Sequence, residues 1–203
     1  MPIASATPLV LGSGSPRRRE ILSGLGLQLC VRPADVAEDV WGGETPAEYL
    51  ERIVEDKLGA VAWGLDSTPY SGVLVADTIV VIDGEILGKP EDEADAARLV
   101  GRLVDRTHEV FTRYAISVSP TPRAAVCRRT VTSRVRMRAA AASEILGYAR
   151  TGEGLDKAGA YAVQGIGSFL VERIEGSYSN VIGLPACEVI LDLKAAGLLE
   201  RFP

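Results

Sequence analysis

Short apolar runs alternate along the chain with stretches in which apolar residues recur every three or four positions. Residues 8–11 are such a run and predict a short buried strand. The turn GSGS follows, and Ser15-Pro16 has the form of an N-cap with proline at the first helical position. The helix it opens carries Ile21, Leu22 and Leu25 and ends near Gly24 or Gly26. A second strand over 27–33 leads into the acidic loop ADVAEDV. Thr45 and Glu48 then form a capping box around Pro46, and Leu50, Ile53, Val54, Leu58 and Val61 follow at helical spacing. Lys57 falls on that same apolar stripe.

Residues 73–82, VLVADTIVVI, are continuously apolar except for Asp77 and Thr78, which predicts a strand central in a sheet. Asp83-Gly84 is a hairpin signal, with EILGKP returning as the partner strand. A two-residue loop would set Lys89 opposite Thr78. A three-residue loop, Ile82 to Gly84 with Gly84 left-handed, would set Lys89 opposite Asp77. The second register is preferred because it pairs two awkward charges. Pro90 opens an acidic helix. Strands over 109–119 and 124–138 are joined by the turn SPTP, and the second puts Arg128, Thr130, Thr132, Arg134, Arg136 and Arg138 on one face. That face reads as a solvated strand surface, with a subunit interface as its rival. A helix over 143–150, a glycine-rich stretch over 152–168, a strand over 168–174, the turn EGSYSNVIGLP and a helix over 186–196 complete the chain. Strands alternating with helices predict an α/β fold.

Composition narrows the chemistry. The chain has 203 residues and a net charge of −5, room for one large domain or a two-lobed one and no overall excess of base for a nucleic-acid partner. No apolar run is long enough for a membrane span, and the N-terminus lacks the features of a signal peptide, so a cytoplasmic protein is expected. The three cysteines are scattered; they predict neither a zinc site nor a disulfide, and read as small buried apolar groups. A single histidine, His108, excludes multi-histidine metal sites and limits any Ser-His-Asp triad to that residue. GEILGKP falls one residue short of a P-loop, with proline in place of Ser or Thr, and GIGSF is too short for a dinucleotide fingerprint.

Carboxylates and cations are left to carry the chemistry. Asp77 inside an apolar strand needs a partner, a hydrogen-bond donor or a metal; a backbone-capping aspartate is the alternative. Lys57 facing inward needs an anion, unless it snorkels to solvent. Arg17, Arg18 and Arg19 crowd the N-terminal turn of the first helix, where the dipole disfavours cations. A bound polyanion would resolve that conflict. Backbone N–H groups of GSGS can accept phosphate, Arg17 and Arg18 can grip it bidentately, and Lys57 and Lys89 add charge. Such a site needs a divalent metal, Mg²⁺ or Mn²⁺, with Asp77 and Glu38 as hard oxygen ligands; taken alone, Glu38 reads as an exposed loop acid.

Together SGSPRR, Lys57 on its capped helix, ADTIVVIDGEILGKP, RTHEV, DKAGAYAVQGIG and GSYSNVIGLP resemble the Maf family from Leu9 to about Leu193. The resemblance implies an elongated mixed central sheet flanked by helices, in two lobes with a cleft between them, similar to inosine triphosphate pyrophosphatases. It implies one two-lobed domain over residues 1–203. It also implies hydrolysis of a nucleoside triphosphate to the monophosphate and pyrophosphate by metal-assisted water attack on the α-phosphorus. Asp77, Lys57 and Lys89 match the family's catalytic positions, with Asp77 as acid/base. Ser13, Arg17, Arg18, Thr78 and Gln164 match substrate-binding positions, and Glu38 with Asp77 the metal. Tyr161 and Gln164 suit the subgroup acting on dTTP and UTP; a subgroup acting on 7-methyl-GTP has phenylalanine and an acid there. A homodimer is usual in similar proteins, so the resemblance implies one here. A nucleotide-binding regulator of cell division with little turnover, or a phosphate-recognition module without catalysis, are the rival expectations. One stretch departs from the family: Val104 and Asp105 stand where Ser-Gly is usual before Arg106, and Arg113 replaces a small residue. His108 reads as structural.

Overall fold

A computed structural model describes residues 1–63, 69–118 and 125–200. The chain order is β1 (Leu9–Leu11), α1 (Pro16–Gly24), β2 (Leu29–Val31), α2 (Pro46–Trp63), β3 (Gly72–Ile82), β4 (Glu85–Leu87), α3 (Glu93–Leu103), β5 (Thr107–Ser117), β6 (Ala125–Met137), α4 (Ala142–Ala149), β7 (Val171–Glu175), α5 (Tyr178–Ile182) and α6 (Ala186–Ala195). The described strands form one seven-stranded sheet ordered β2-β1-β3-β5-β6-β7, with β4 paired to β3. β1 runs parallel to β2 and β3, whereas β4 and β7 run antiparallel to β3 and β6. This is the α/β class that the alternation of elements predicts, with the mixed central sheet flanked by helices that the family resemblance implies. The turn expected at SPTP lies outside the described residues.

The chain divides into two compact units, one of Met1–Asp77, Thr112–Val131 and Gly183–Pro203, the other of Thr78–Phe111 and Thr132–Ile182. In the first, the two-residue period of β1 and β3 feeds two cores. Leu9, Leu11, Leu74 and Ala76 pack with Leu22 of α1 and Val189 and Leu193 of α6. Val10, Val73 and Val75 pack with Val54, Leu58 and Val61 of α2. The second unit has its own core, built on Val80, Ile82, Leu99, Leu103, Val110, Val135, Met137, Tyr148 and Leu170.

Local signals hold at most element starts. Ser15 caps α1 by accepting from the Arg18 N–H, with Pro16 at the first helical position. Thr45 and Glu48 close the capping box, the Thr45 N–H donating to Glu48 Oε2 at 2.9 Å and the Glu48 N–H to Thr45 Oγ1 at 3.3 Å. Five expectations are corrected. The hairpin pairs Ile82 with Glu85 and Val80 with Leu87, so the loop has two residues and the preferred register is wrong. Asp83 and Gly84 both take left-handed φ values, 55° and 79°, the pattern of the tight turn whose twist matches the flanking strands. Asp tolerates that conformation, and pairing stops at Leu87, so Lys89 never enters the ladder. α3 begins at Glu93, not Pro90, because Asp92 caps it by accepting from the Asp95 N–H at 2.8 Å. A 3-10 turn over Ile166–Leu170 precedes β7, and the EGSYSNVIGLP stretch contains α5 rather than turn alone. The cysteines are free but not fully buried: Cys30 and Cys127 are half-buried and Cys187 is exposed.

The departure at Val104-Asp105 has a local explanation. Asp105 adopts φ 56°, the left-handed position a glycine would fill. Its carboxylate meets Arg136 at 2.7 Å and its N–H donates to the Arg138 carbonyl at 3.0 Å. Arg113 bonds Thr130 and Glu51. The β6 arginines lie on a surface laced with ion pairs, Arg128 with Glu55, Arg136 with Asp105 and Arg138 with Glu144.

Candidate active site

The site in the first unit starts from strand parity. Val73 and Val75 face α2, so Asp77, two residues further on, faces α2 as well. Lys57 lies three residues after Val54 and four before Val61, on the helix face that packs there. Both are buried, at 7% and 5% exposure, and Lys57 Nζ lies 2.6 Å from Asp77 Oδ1. The same ammonium lies 2.6 Å from Glu38 Oε1, which remains 40% exposed. Thus the lysine turns inward to two carboxylates instead of snorkelling to solvent. Asp77 meets Lys57.

Behind this pair, the chain makes a tight turn after β1. A side chain at Gly12 would place its Cβ 2.6 Å from both Val61 Cγ2 and Val75 Cγ1, so only glycine lets the backbone pass between α2 and β3. Ser13 follows, buried, and accepts from Arg18 at 2.9 Å. Arg18 is itself buried, donating from Nε to the Gly183 carbonyl and from its terminal nitrogen to the Ala76 carbonyl, each at 2.8 Å. Burial lowers its pKa, opposed by the charges of Asp77 and Glu38 and helped by Arg17. The guanidinium therefore ties the α1 turn to the residue preceding Asp77. Arg17 is half-buried and Arg19 exposed on the same helical turn.

Sequence reasoning missed the residues that hold the acidic loop. Arg52 of α2 bonds both Glu44 oxygens at 2.7 Å, donates to the Asp39 carbonyl at 2.9 Å and lies 3.9 Å over the Trp41 ring. The Tyr49 hydroxyl donates to the Glu38 carbonyl at 3.1 Å. An isolated tryptophan in an acidic loop was the available signal. Asp192 was missed as well; it is buried and accepts from Tyr114 at 2.5 Å and Arg129 at 2.8 Å, joining α6 to β5 and β6.

Thr78, Lys89 and Gln164 belong to the second unit. Thr78 is half-buried; Lys89 and Gln164 are exposed. The Gly88 carbonyl, beside Lys89, accepts from the Gly159 N–H at 3.0 Å, pinning the KP turn to the DKAG stretch. Tyr161 is buried, its hydroxyl 2.7 Å from His108 Nε2, so His108 is a packed core histidine. Among the described residues no three His, Cys, Asp or Glu gather to hold a metal. Asp77 and Glu38 alone still suit Mg²⁺ or Mn²⁺, which is commonly held through one or two carboxylates with substrate phosphates and water completing the shell.

A family profile described as Maf-like protein matches residues 8–196. The chain belongs to the Maf family. Two curated relatives of this Maf-family chain are named dTTP/UTP pyrophosphatase. The one from Geobacter sulfurreducens is 44% identical over 191 residues, covering 94% of this chain and 97% of its own. The one from Hahella chejuensis is 46% identical over 191 residues, covering 94% and 92%. A Ham1 protein structure from Coxiella burnetii aligns over 64% of this chain and 73% of that chain, at 15% identity and a TM-score of 0.41, a likeness too distant to carry an argument. No described helix is long and apolar enough to cross a membrane.

Proposed function

We propose that this protein hydrolyses dTTP or UTP to the nucleoside monophosphate and pyrophosphate. The observation that carries the reading is Lys57 held between Asp77 and Glu38 in the same unit as the Ser13–Arg18 turn; the names of its relatives point the same way. Asp77 accepts a proton from water as the water oxygen bonds to the α-phosphorus. The bond from that phosphorus to the bridging oxygen breaks, and pyrophosphate leaves with the electron pair. As Asp77 takes the proton its hold on Lys57 weakens, and the ammonium is freed to offset charge on the phosphate oxygens. Arg17, Lys89 and the N–H groups opening α1 bind the polyphosphate. Arg18, committed to two carbonyls and Ser13, sets the shape of that turn and contributes its charge. Thr78 and Gln164 bind substrate; the glutamine amide offers both a donor and an acceptor to a pyrimidine edge. Mg²⁺ or Mn²⁺, held by Glu38 and Asp77, would supply further neutralisation of the triphosphate. The same reading takes the chain as one two-lobed domain, acting as a cytoplasmic homodimer on a small nucleotide.

The test is a panel of nucleoside triphosphates with separate detection of pyrophosphate and orthophosphate, with Mg²⁺, with Mn²⁺ and with chelator. Pyrophosphate as the first product, from dTTP or UTP, and its loss in Asp77→Asn are expected. Orthophosphate released first, or tight binding without turnover, would overturn the reading.

A further inference from the structure

The stretch that carries Gln164 is clamped from both ends by groups outside it. Glu153 Oε1 accepts from the Ile166 N–H at 2.7 Å, and Oε2 accepts from the Gly167 N–H at 2.8 Å. The Tyr148 hydroxyl donates to Glu153 Oε2 at 2.9 Å and accepts from the Ala162 N–H at 3.0 Å. Lys157 Nζ in turn donates to the carbonyl of Glu153 at 2.5 Å. One carboxylate thus collects three donors, and with Tyr148 it holds the segment 162–167 at both ends. The fit admits only glycine at two points. A Cβ at Gly165 would fall 1.8 Å from Glu153 Oε1, and one at Gly167 would fall 2.5 Å from the Ala162 carbonyl and 2.6 Å from the Tyr148 hydroxyl. Burial raises the pKa of Glu153, but the Gly167 and Ile166 N–H groups and the Tyr148 hydroxyl outweigh it and hold the carboxyl below its ordinary value.

We infer that Glu153 is a positioning residue for base selection: with Tyr148 it fixes the backbone of residues 162–167, and so holds the exposed Gln164 amide where it can distinguish one pyrimidine from another. This rests on the proposed hydrolysis of pyrimidine nucleotides. Uracil presents an acceptor and an N–H donor along its pairing edge; cytosine presents the reverse. An amide can satisfy either, so discrimination requires a frame that does not adapt. A charge-assisted, three-donor carboxylate provides that frame. Glu153→Gln would replace one acceptor oxygen with an NH₂ donor facing an N–H or hydroxyl donor, loosening the clamp with little change of volume.

The experiment compares kcat/KM for UTP and CTP in the wild type, Glu153→Gln, Glu153→Ala, Gly165→Ala and the double variant Glu153→Ala/Gly165→Ala. It also measures the inhibition constant of inorganic tripolyphosphate, which has no base. The wild type should favour UTP, and the ratio should fall about ten-fold in Glu153→Gln and in Gly165→Ala. Tripolyphosphate inhibition should stay within about two-fold, because the polyphosphate contacts lie elsewhere. Gly165→Ala should add less than about two-fold to Glu153→Ala, since the clashing oxygen is then gone. Tyr148→Phe, which removes one hydroxyl, serves if the others fail to fold, and should shift the ratio the same way by about three-fold. A wild-type ratio near one, an unchanged ratio in folded variants, or equal losses for both nucleotides and tripolyphosphate would overturn the inference. A wild type that releases no pyrophosphate from any nucleotide would instead remove the reading beneath it.

Discussion

The only histidine in the chain makes one electrostatic prediction unusually clean. His108 is 1% exposed on β5, its Nε2 meets the Tyr161 hydroxyl, and its Nδ1 finds no hydrogen-bond partner among the described residues. Burial pulls its pKa down to about 4, against about 6.5 for an exposed imidazole. The unfolded chain therefore binds more protons between those two values, and stability falls as pH drops through that window. A difference of about 2.5 units corresponds to about 3 kcal/mol in full, and to about 2 kcal/mol of it already lost at about pH 5. The stability contribution is complete above about pH 6.5 and gone below about pH 4. The assay has two parts. The ring Cε1–H resonance, a single signal, is followed across the acid range by NMR. Urea denaturation at about pH 7.5 and about pH 5 is then compared between the wild type and His108→Phe/Tyr161→Phe, which removes the titration and the partner hydroxyl together. Carboxylates contribute to the pH dependence of both proteins, so the difference between them isolates the histidine. The double variant should lose about 2 kcal/mol less on acidification. A resonance midpoint near the ordinary imidazole value, or equal acid sensitivity in both proteins, would refute the reasoning.

Two further outcomes follow from the acidic site. Lys57→Met should cost about 3–5 kcal/mol, because it leaves Asp77 buried without its counter-charge. Lys57→Met/Asp77→Leu should recover most of that in urea denaturation while remaining inactive; a single variant costing less than about 1 kcal/mol would contradict the burial of the pair. Arg52→Gln should speed limited proteolysis within residues 34–44 several-fold, since it removes the bonds to Glu44 and the Asp39 carbonyl. Cleavage at the wild-type rate would mean those contacts do not hold the loop.

Much of this protein was legible before any coordinates. The Ser15-Pro16 start of α1, the Thr45–Glu48 box and the apolar parity of β3 are local signals, set by backbone hydrogen bonding and by the two- and 3.6-residue periods of side-chain direction. Those periods also marked Asp77 and Lys57 as charges facing inward, because an ionised group in an apolar pattern must find a partner. Which partner each found was decided only in three dimensions. Register across the hairpin turned on Asp83 accepting a left-handed conformation, and the ladder ends at Leu87, short of Lys89. Pairing of Asp77 with Lys57 turned on α2 packing against the odd-numbered face of β3. The commitment of Arg18 to the Ala76 and Gly183 carbonyls and the clamp of Glu153 under Gln164 had no local signature, and the hold of Arg52 on the acidic loop had only Trp41 as its sign. Each joins positions separated in sequence by loops and turns, and periodicity gives the direction in which a side chain points without naming what lies there.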